Sequence, residues 1–346
     1  MDFADDLLLR PARREMPDPE LSVVIPTYNR AGFLSRAIDS ALDQTYPHEK
    51  CEVIVVDDGS TDGTAEMVKR RYGGGSVRYL YKDNGGVNSA TEAGVAAARG
   101  EFVAPLDSDD YWYPDKLARC MPLFRQADDI VGVLHDLDIV RAEDDSKRGT
   151  WWGPAGTFLT PEPQDALHAY LAGRAIKAIT SGCIWRKSVL EKVLPFPKGM
   201  WGFPDAYFLR HTILFGRLCA VAESLGAYVQ HGSNVYGAGA ASKANRNLER
   251  DINDGRLMTE SFNARCAAAG IEIPQRRRDI QNYAVACGKI AIRMRVGKWP
   301  AVVQAFQADI DLPPRFRVAL LSDILLPRRL ASAVKNRLLT LFGPLD

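Results

Sequence analysis

Two stretches of the sequence decide the fold: LSVVIPTYNR at residues 21–30 and EVIVVDDGSTDGT at residues 52–64. Each begins with a short apolar run, typical of a buried strand, and each then breaks into polar, turn-forming residues. The segment between them has apolar residues at the spacing of one buried helix face: Phe33, Leu34, Ala37, Ile38, Ala41 and Leu42. The pattern therefore predicts a strand, a helix and a second strand.

The same alternation continues to about residue 110. Strands are predicted at residues 77–81 and 102–106, and helices are predicted to begin near Thr64 and to span residues 87–98. Strands separated by helices of this length imply right-handed crossovers and a parallel arrangement. We therefore predict an α/β fold, with a mainly parallel sheet flanked by helices.

Polar clusters follow three of the predicted strands. They are PTYN at residues 26–29, the pair Asp57-Asp58, and DSDD at residues 107–110. In parallel sheets, ligands bind beyond the carboxyl ends of the strands. We expect the three clusters to meet at one edge of the sheet and to form a binding site there.

The last of these clusters is acidic. Asp107, Asp109 and Asp110 offer hard oxygen ligands of the kind that suit Mg²⁺ or Mn²⁺. Carboxylates this close repel one another unless a cation or hydrogen bonds compensate. The alternative is a solvated turn that caps a helix predicted at residues 114–124. The position after a buried strand, opposite Asp57-Asp58, favours the metal, which would stabilise a diphosphate leaving group.

Composition excludes several other classes of protein. The chain has 346 residues, of which 46% are hydrophobic and 25% charged, with a formal net charge of +1. This balance is that of a soluble globular protein, and it offers nucleic acid no attractive field. The amino terminus lacks the pattern of a secretory signal, and no apolar run approaches the roughly 18 residues of a membrane span.

Cysteines and glycines narrow the choice further. The six cysteines form no C-x-x-C pair, so we expect reduced thiols in a cytoplasmic protein. Neither G-x-G-x-x-G nor G-x-x-x-x-G-K-[ST] occurs, which argues against dinucleotide-dependent oxidoreductases and P-loop NTPases. Glycine turns at residues 57–60 and 84–86 would let the backbone approach a ligand closely.

Three blocks, taken together and in order, resemble the family 2 glycosyltransferases with a GT-A, Rossmann-like fold. They are LSVVIPTYNRAGFLSRAIDSALDQTYP, EVIVVDDGSTDGT and NGGVNSATEAGVAAARGEFVAPLDSDD. The resemblance is dense over residues 21–124 and looser to about residue 236. It implies transfer of a sugar from a nucleotide diphosphate sugar to an acceptor, with inversion at the anomeric carbon and with Mn²⁺ or Mg²⁺ as cofactor.

The resemblance assigns the donor site residue by residue. Asp58, beside Asp57, would hydrogen-bond the base, because a carboxylate accepts well from a uracil-type imide N–H. Asp107 and Asp109 match the D-x-D motif, with Asp109 the first choice for metal contact and Asp110 as substitute or support. The remaining residues implied for nucleotide and donor binding are Pro26, Thr27, Tyr28, Asn29, Asn84, Gly86, Asn88, Asp107 and Ser108.

The catalytic base is implied by a later acidic motif, commonly Glu-Asp. Here the matching stretch is GFPDAYFLR at residues 202–210, where Pro204 replaces the glutamate and Asp205 remains. Asp205 would deprotonate the acceptor hydroxyl. Its alternative role is to cap a helix that starts at Ala206, and the two roles are compatible.

Two further positions bear on the donor. His231, in YVQHGSN at residues 228–234, matches an aromatic-x-x-His-x-x-Asn segment, and it would bind the metal or a phosphate or act as a structural hydrogen-bonding residue. Thr91-Glu92 stands where the family often has Arg-Asn. This change removes a cation, and Glu92 would contact sugar hydroxyls instead.

The acceptor side is predicted from aromatic residues. Trp151, Trp152, Trp185 and Trp201 are candidate stacking platforms, although each is also a candidate core residue. Trp201 is favoured because it immediately precedes the base motif. Ser181 and Gly182 are predicted to line the acceptor entrance.

The carboxyl-terminal part is basic, with 13 Lys or Arg against 6 Asp or Glu from residue 271 onward. It would contact the inner face of an anionic membrane carrying the acceptor, or pack as helices against the catalytic domain or in a homodimer. The predicted organisation is an N-terminal tail (1–20), a nucleotide-sugar-binding half (21–125), an acceptor-binding half (126–244) and a helical C-terminal extension (245–346).

The leading functional hypothesis is thus a metal-dependent inverting glycosyltransferase of cell-surface polysaccharide or glycolipid assembly, with a saccharide or lipid-linked acceptor. A nucleotide-sugar-binding protein without turnover is the main alternative, because Pro204 and Glu92 depart from the family pattern. A sugar nucleotidyltransferase is a weaker alternative, because that class has a glycine-rich loop where this chain has PTYNR.

Overall fold

The computed structural model describes residues 18–153, 156–232, 234, 248–275 and 277–278. Most of the predicted N-terminal tail and the basic segments from residue 279 onward lie outside the described residues. The predicted contacts of those segments with a membrane or a second copy therefore stay predictions. Within the described part of the chain, no helix is long and apolar enough to cross a membrane.

One twisted mixed sheet organises the described chain. Its strands are β1 (Leu21–Thr27), β2 (Cys51–Asp57), β3 (Arg78–Tyr81), β4 (Phe102–Pro105), β5 (Tyr111–Trp112), β6 (Ile130–Arg141), β7 (Lys147–Thr150), β8 (Cys183–Arg186) and β9 (Arg217–Gln230). They lie in the order β3-β2-β1-β4-β8-β6-β9-β5, with β7 paired to β6.

The first half of the sheet is parallel. β1 pairs with β2 and β4, and β2 pairs with β3, all in the parallel sense. β1 is buried along its whole length, as a continuous apolar strand covered on both faces should be. The predicted α/β class is confirmed, and the four strands expected from the alternation are present.

The second half is mixed. β8 runs antiparallel to β4 and β6, while β9 runs parallel to β6 with several register shifts. β5 adds an antiparallel pairing to β9, and this pairing brings the chain after residue 110 against residues 226–227. The helix predicted at residues 114–124 is a short helix followed by a 3₁₀ turn.

The helices cover both faces. They are α1 (Ala31–Leu42), α2 (Thr64–Tyr72), α3 (Val87–Ala97), α4 (Lys116–Cys120), α5 (Ala166–Leu171), α6 (Lys187–Val193), α7 (Pro204–Thr212) and α8 (Leu248–Ala268), with 3₁₀ turns at His48–Lys50, Met121–Arg125 and Thr180–Gly182. Successive side chains of β1 point to opposite faces of the sheet and so belong to two hydrophobic cores. Val23 and Ile25 pack with α1, α2 and α4, and Val24 packs with α3, α6, α7 and α8.

Two of these helices bear directly on the site. α3 lies so close to β1 that a Cβ on Gly94 would come 2.2 Å from Val24 Cγ1, which explains a glycine inside the helix. α8 belongs to the core rather than to an appendage, since Phe262 and Cys266 are fully buried among residues of α6 and α7. The described part of the predicted C-terminal region therefore packs against the catalytic fold.

Candidate active site

The carboxyl ends of β1, β2 and β4 form the edge that the sequence predicted. Asn29 follows β1 in the left-handed conformation, with φ of 52°. Its N–H donates to Ser60 Oγ at 2.8 Å, and its Oδ1 accepts from the N–H of Thr61 at 2.8 Å. These bonds join the loops after β1 and β2, and next to them Tyr28 is 49% exposed at the edge.

The strand-end pair of aspartates is buried and engaged. Asp57 accepts from the N–H of Ser60 and from the hydroxyl of Tyr79. Asp58 accepts from Lys82 Nζ at 2.7 Å and from the backbone N–H groups of Gly85 and Gly86. Asp58 therefore holds the turn at residues 84–86 against the end of β2.

Lys82 was not predicted as a site residue. The signal was its position directly after β3, which is the next strand to β2 in the sheet. Arg30, which follows Asn29 and ends the PTYNR stretch, was also not predicted as a site residue. Its Nε lies 3.7 Å from Asp109 Oδ2, so a cation from the loop after β1 reaches the acidic cluster.

The turn at residues 84–86 leads into α3, and there it meets the acceptor side. Gly86 has φ of 86°, and a Cβ on it would come 2.7 Å from Trp201 Cε3. The Asn88 side chain is buried, and its Nδ2 donates to the carbonyls of Met200 and Gly202 at 3.1 and 3.2 Å. The structure thus brings Gly86 and Asn88 against the chain that precedes Asp205.

The three aspartates after β4 differ in their surroundings. Asp110 is buried, and its two oxygens accept from the Ser181 hydroxyl at 2.6 Å and from the Val229 N–H at 2.9 Å. Asp109 Oδ2 lies 3.0 Å from His231 Nε2. Asp110 is therefore tied to the protein as a support, whereas Asp107 and Asp109 remain candidates for the metal; Ser108 between them is buried.

Burial and neighbouring like charges raise the pKa values of two carboxyl groups in the acidic cluster. Burial, together with neighbouring Asp109 and Asp205, raises the pKa of Asp107 to about 8. Burial, Asp109 and Asp107 raise the pKa of Asp110 well above its ordinary value. The cluster thus holds carboxylates that are costly to ionise together, and a cation would relieve that cost.

Asp205 lies in the first turn of α7, where Pro204 occupies a position that suits proline. Its Oδ1 accepts from the N–H of Ala206 at 2.8 Å, but the helix already begins at Pro204, with Phe203 as its N-cap and no side-chain cap, so the predicted capping of a helix that starts at Ala206 is wrong. The base role stays a prediction. Burial raises the pKa of Asp205 to about 6.

Thr180 joins Asp205 to the acidic cluster. It lies near both carboxyl groups, where its backbone moderates the raised pKa of Asp205 and its side chain moderates the raised pKa of Asp107. Thr180 begins the 3₁₀ turn before β8, and nothing in its local sequence marks this role. The contact exists because β8 lies beside β4 in the sheet.

The predicted acceptor residues separate into two groups. Trp201 is 46% exposed, whereas Trp152 and Trp185 are core residues at 2% and 0%, so the latter two are not platforms. Ser181 and Gly182 are also fully or nearly buried, beneath Asp110 and against the carbonyl of His135. Contrary to the prediction, they underlie the acidic cluster and do not line an entrance.

His231 and Glu92, the two further positions predicted to bear on the donor, both make direct contacts within the protein. His231 stacks on Phe33 with 4.5 Å between ring centroids, and its backbone N–H donates to Asn234 Oδ1. Glu92 accepts from the N–H of Phe196 at 2.6 Å. Glu92 therefore anchors the loop after α6 through this oxygen, and its predicted contact with sugar hydroxyls stays a prediction.

Comparison with known proteins places this geometry in a family. The family model described as Glycosyl transferase family 2 matches residues 22–194. An uncharacterised glycosyltransferase of Nostoc sp. is 35% identical over 227 residues, covering 64% of this chain and 68% of that protein. The chondroitin synthase of Pasteurella multocida is 44% identical over 107 residues, which span 31% of this chain and 11% of that enzyme.

Solved structures agree on the fold. TarS of S. aureus in complex with UDP-GlcNAc aligns with a TM-score of 0.58 and 18% identity, covering 91% of this chain and 83% of that one. The mannosyltransferase PcManGT from Pyrobaculum calidifontis, in complex with GDP-Man and Mn²⁺, aligns with a TM-score of 0.51 and 20% identity, covering 92% and 87%. Because the family model matches half of its length, and because a 35% identical relative is covered over 68% of its own length, this chain belongs to the family 2 glycosyltransferases.

Proposed function

We propose that the protein is a metal-dependent inverting glycosyltransferase that moves a sugar, from a UDP-sugar in the first instance, to a saccharide or lipid-linked acceptor of cell-surface polysaccharide or glycolipid assembly. The observation that carries the proposal is the proximity of Asp205 to Asp107: the charge of Asp205 helps to raise the pKa of Asp107, although the two lie far apart in the sequence. A candidate base thus stands next to candidate metal ligands, as sugar transfer requires.

Unsatisfied polar atoms support donor binding at the same edge. Thr27 Oγ1 and Asn88 Oδ1 are buried without a hydrogen-bond partner. Buried polar atoms of this kind are rare and call for an explanation, and a bound nucleotide sugar would supply partners. Asp58 accepts from three donors, and an ionised carboxylate has about four acceptor positions, so one remains for an imide N–H of uracil.

The side chains also suit a divalent cation held jointly with the donor. Among the described residues, no group of three or more His, Cys, Asp or Glu forms a ready metal centre. Mg²⁺ is commonly bound through one or two carboxylates plus substrate phosphates, and Asp107 and Asp109 provide that number. His231, against Asp109, is the further ligand proposed. When bound, the cation would neutralise the diphosphate as it leaves.

Asp205 supplies the proton chemistry. It would accept the proton of the acceptor hydroxyl while that oxygen forms a bond to the anomeric carbon. The bond from that carbon to the diphosphate breaks at the same time, and its electron pair leaves with the nucleoside diphosphate. A carboxyl group with a pKa near 6 is ionised at pH 7 yet more basic than an ordinary aspartate, which favours general-base catalysis.

Calorimetric titration of UDP and of GDP, with Mn²⁺ and after chelation, tests the donor site. We expect UDP to bind in the presence of Mn²⁺, and Asp109→Ala to abolish that binding. Asp129→Ala is the control, since Asp129 pairs with Arg217 on the surface away from this edge. Binding that is indifferent to Mn²⁺ would remove the metal role from Asp107 and Asp109.

Turnover is tested separately, by release of UDP from UDP-sugars in the presence of a panel of glycosides. Tight donor binding without release to any glycoside or to water would favour the nucleotide-sugar-binding protein over the transferase. Binding of GDP in place of UDP would leave the proposed transferase activity standing and would indicate a GDP-sugar as the donor.

A further inference from the structure

We propose that Asp254, on α8, is a positioning residue for Trp201, and that α8 thereby completes the acceptor side of the site. The inference rests on the proposed function, because it assigns Trp201 to the acceptor. α8 lies beyond the residues that the family model matches, so the contribution belongs to the part of the chain that the family pattern does not describe.

Asp254 is a fully buried carboxylate with an unusual pair of partners. Its Oδ1 accepts from the N–H of Trp201 at 3.1 Å, and its Oδ2 accepts from the N–H of Gly202 at 2.9 Å. Burying a carboxylate is costly unless hydrogen bonds compensate, and burial raises the pKa of this one. The two oxygens fix two successive peptide groups in one orientation.

The same short segment is held from the opposite side. The Asn88 amide of α3 donates to the carbonyls of Met200 and Gly202. Asn253, next to Asp254 on α8, donates to the carbonyl of Gly199 at 3.2 Å. Residues 199–202 are therefore clamped between a helix of the donor side and α8.

The clamp presents the Trp201 ring at the site. The ring lies against Gly86, where a Cβ would approach its six-membered part to 2.7 Å, and the side chain is still 46% exposed. Aromatic rings held in this way offer a flat apolar surface beside polar groups. Asp205 lies four residues further along the chain, in the first turn of α7. The proposal places the acceptor sugar on the Trp201 ring with one hydroxyl directed to Asp205.

α8 is a rigid support for this arrangement. Met258, Phe262 and Cys266 anchor it in the core with α6 and α7, and a site built on a packed helix is held more precisely than one built on loops alone. Displacements of about 1 Å can cost about a hundredfold in rate, so the orientation of two peptide groups is sufficient to matter.

The kinetic test compares Asp254→Asn, Trp201→Ala and the double variant, with Glu260→Gln as the control. Glu260 is an exposed residue of α8 that pairs with Arg256, so this control also removes one carboxylate charge from the helix. In Asp254→Asn an amide N–H would face a backbone N–H, which breaks one side of the clamp. The probes are UDP with Mn²⁺ for the donor site and the best p-nitrophenyl glycoside of the panel for transfer.

We expect Asp254→Asn to lower kcat/KM for the glycoside about a hundredfold, chiefly through KM, and to leave the affinity for UDP within about twofold. Release of UDP to water should be retained. The double variant should fall no further than Trp201→Ala, because contacts that act through one group are not additive.

Acrylamide quenching tests the position of the ring without an acceptor. The difference in quenching between the wild type and Trp201→Ala reports Trp201 alone, and we expect it to increase in the Asp254→Asn background. Unchanged quenching, additive kinetics, or loss of UDP binding in Asp254→Asn would each overturn the proposal. Failure of the proposed function is distinct, since the wild type itself would then neither bind a nucleotide nor turn over a donor.

Discussion

The two halves of the sheet build the site in different ways. On the parallel half, each donor-side residue follows its own strand and contacts the loop of the next strand, as Asn29 does with Ser60 and as Asp58 does with Gly86. On the mixed half, the acceptor side joins distant segments: Thr180 reaches Asp205, and Asp254 reaches Trp201.

The difference follows from topology. A parallel sheet places successive strand ends at one edge whatever the details of packing, so residues in short motifs meet there. The mixed half depends on long-range packing of β6, β8, β9 and α8, and no short motif records it. The family model accordingly ends at residue 194, before the candidate base.

Removing the candidate base is the strongest way to test the acceptor half. Asp205→Asn should lower kcat by roughly 10²–10⁴-fold, because the amide cannot accept the acceptor proton, while UDP affinity stays nearly intact. The matched control is Asp165→Asn at the start of α5, where Asp165 caps the helix by accepting from the His168 N–H. Equal kinetics in the wild type and Asp205→Asn would contradict the assignment.

The same carboxyl group sets an expected pH dependence. Because burial raises the pKa of Asp205 to about 6, the base is ionised above that pH and protonated below it. Activity with saturating donor should therefore fall as the pH decreases through 6, by about tenfold at pH 5. The residual activity of Asp205→Asn should lack this acidic limb in a pH–rate profile.

Gly86→Ala probes the contact that links the two halves. The new Cβ would meet the Trp201 ring in addition to the strain of a positive φ, so kcat/KM for the glycoside should fall about tenfold. Gly63→Ala is the control for a positive φ without a clash: Gly63 has φ of 85° and ψ of 13°, and a Cβ there comes no nearer than 4.0 Å to another atom. Gly63→Ala should lose about 1–2 kcal/mol of stability. Gly86→Ala should lose more, because its ψ of 167° belongs to a region that essentially only glycine adopts. An equal loss of activity in the two would show that the Trp201 contact is irrelevant.

The smallest effect on the site is expected from Lys116, which lies fully buried under Trp112 and donates to the Ser181 carbonyl at 3.1 Å. Burial lowers its pKa to about 7. A lowered lysine pKa means that stability rises with pH between about 7 and 10.5, because the unfolded state binds the proton more tightly there.

Lys116→Met should remove the pH dependence of stability that Lys116 causes. The variant is expected to be more stable than the wild type at pH 6, and the difference should narrow as the pH approaches 10, in urea unfolding at several pH values. The lowered pKa of Lys116 corresponds to a change in the free energy of unfolding of about 5 kcal/mol at most. A pH-independent difference would mean that Lys116 is charged in the folded protein throughout the range.

The sequence by itself determined the parallel half. Apolar runs ending in PTYN, DDGS and DSDD predict the strands β1, β2 and β4, and consecutive crossovers dictate that their ends meet, so the donor-side edge needed no tertiary information. Asp205 is a candidate base from the sequence as well, because it is the acidic residue that remains beside Pro204 in the stretch that matches the family's Glu-Asp motif.

Only the tertiary structure decided the rest. Ser181, Trp152 and Trp185 are predicted acceptor residues in the sequence, yet packing buries them. Thr180 and Asp254 have no local signal: the backbone of Thr180 acts on distant Asp205, and Asp254 accepts from the backbone N–H of distant Trp201. Hydrogen bonds to a peptide group depend on where the chain passes and not on which side chain that peptide carries. Such contacts leave no pattern in the partner's sequence, and they become visible only when the fold brings the two segments together.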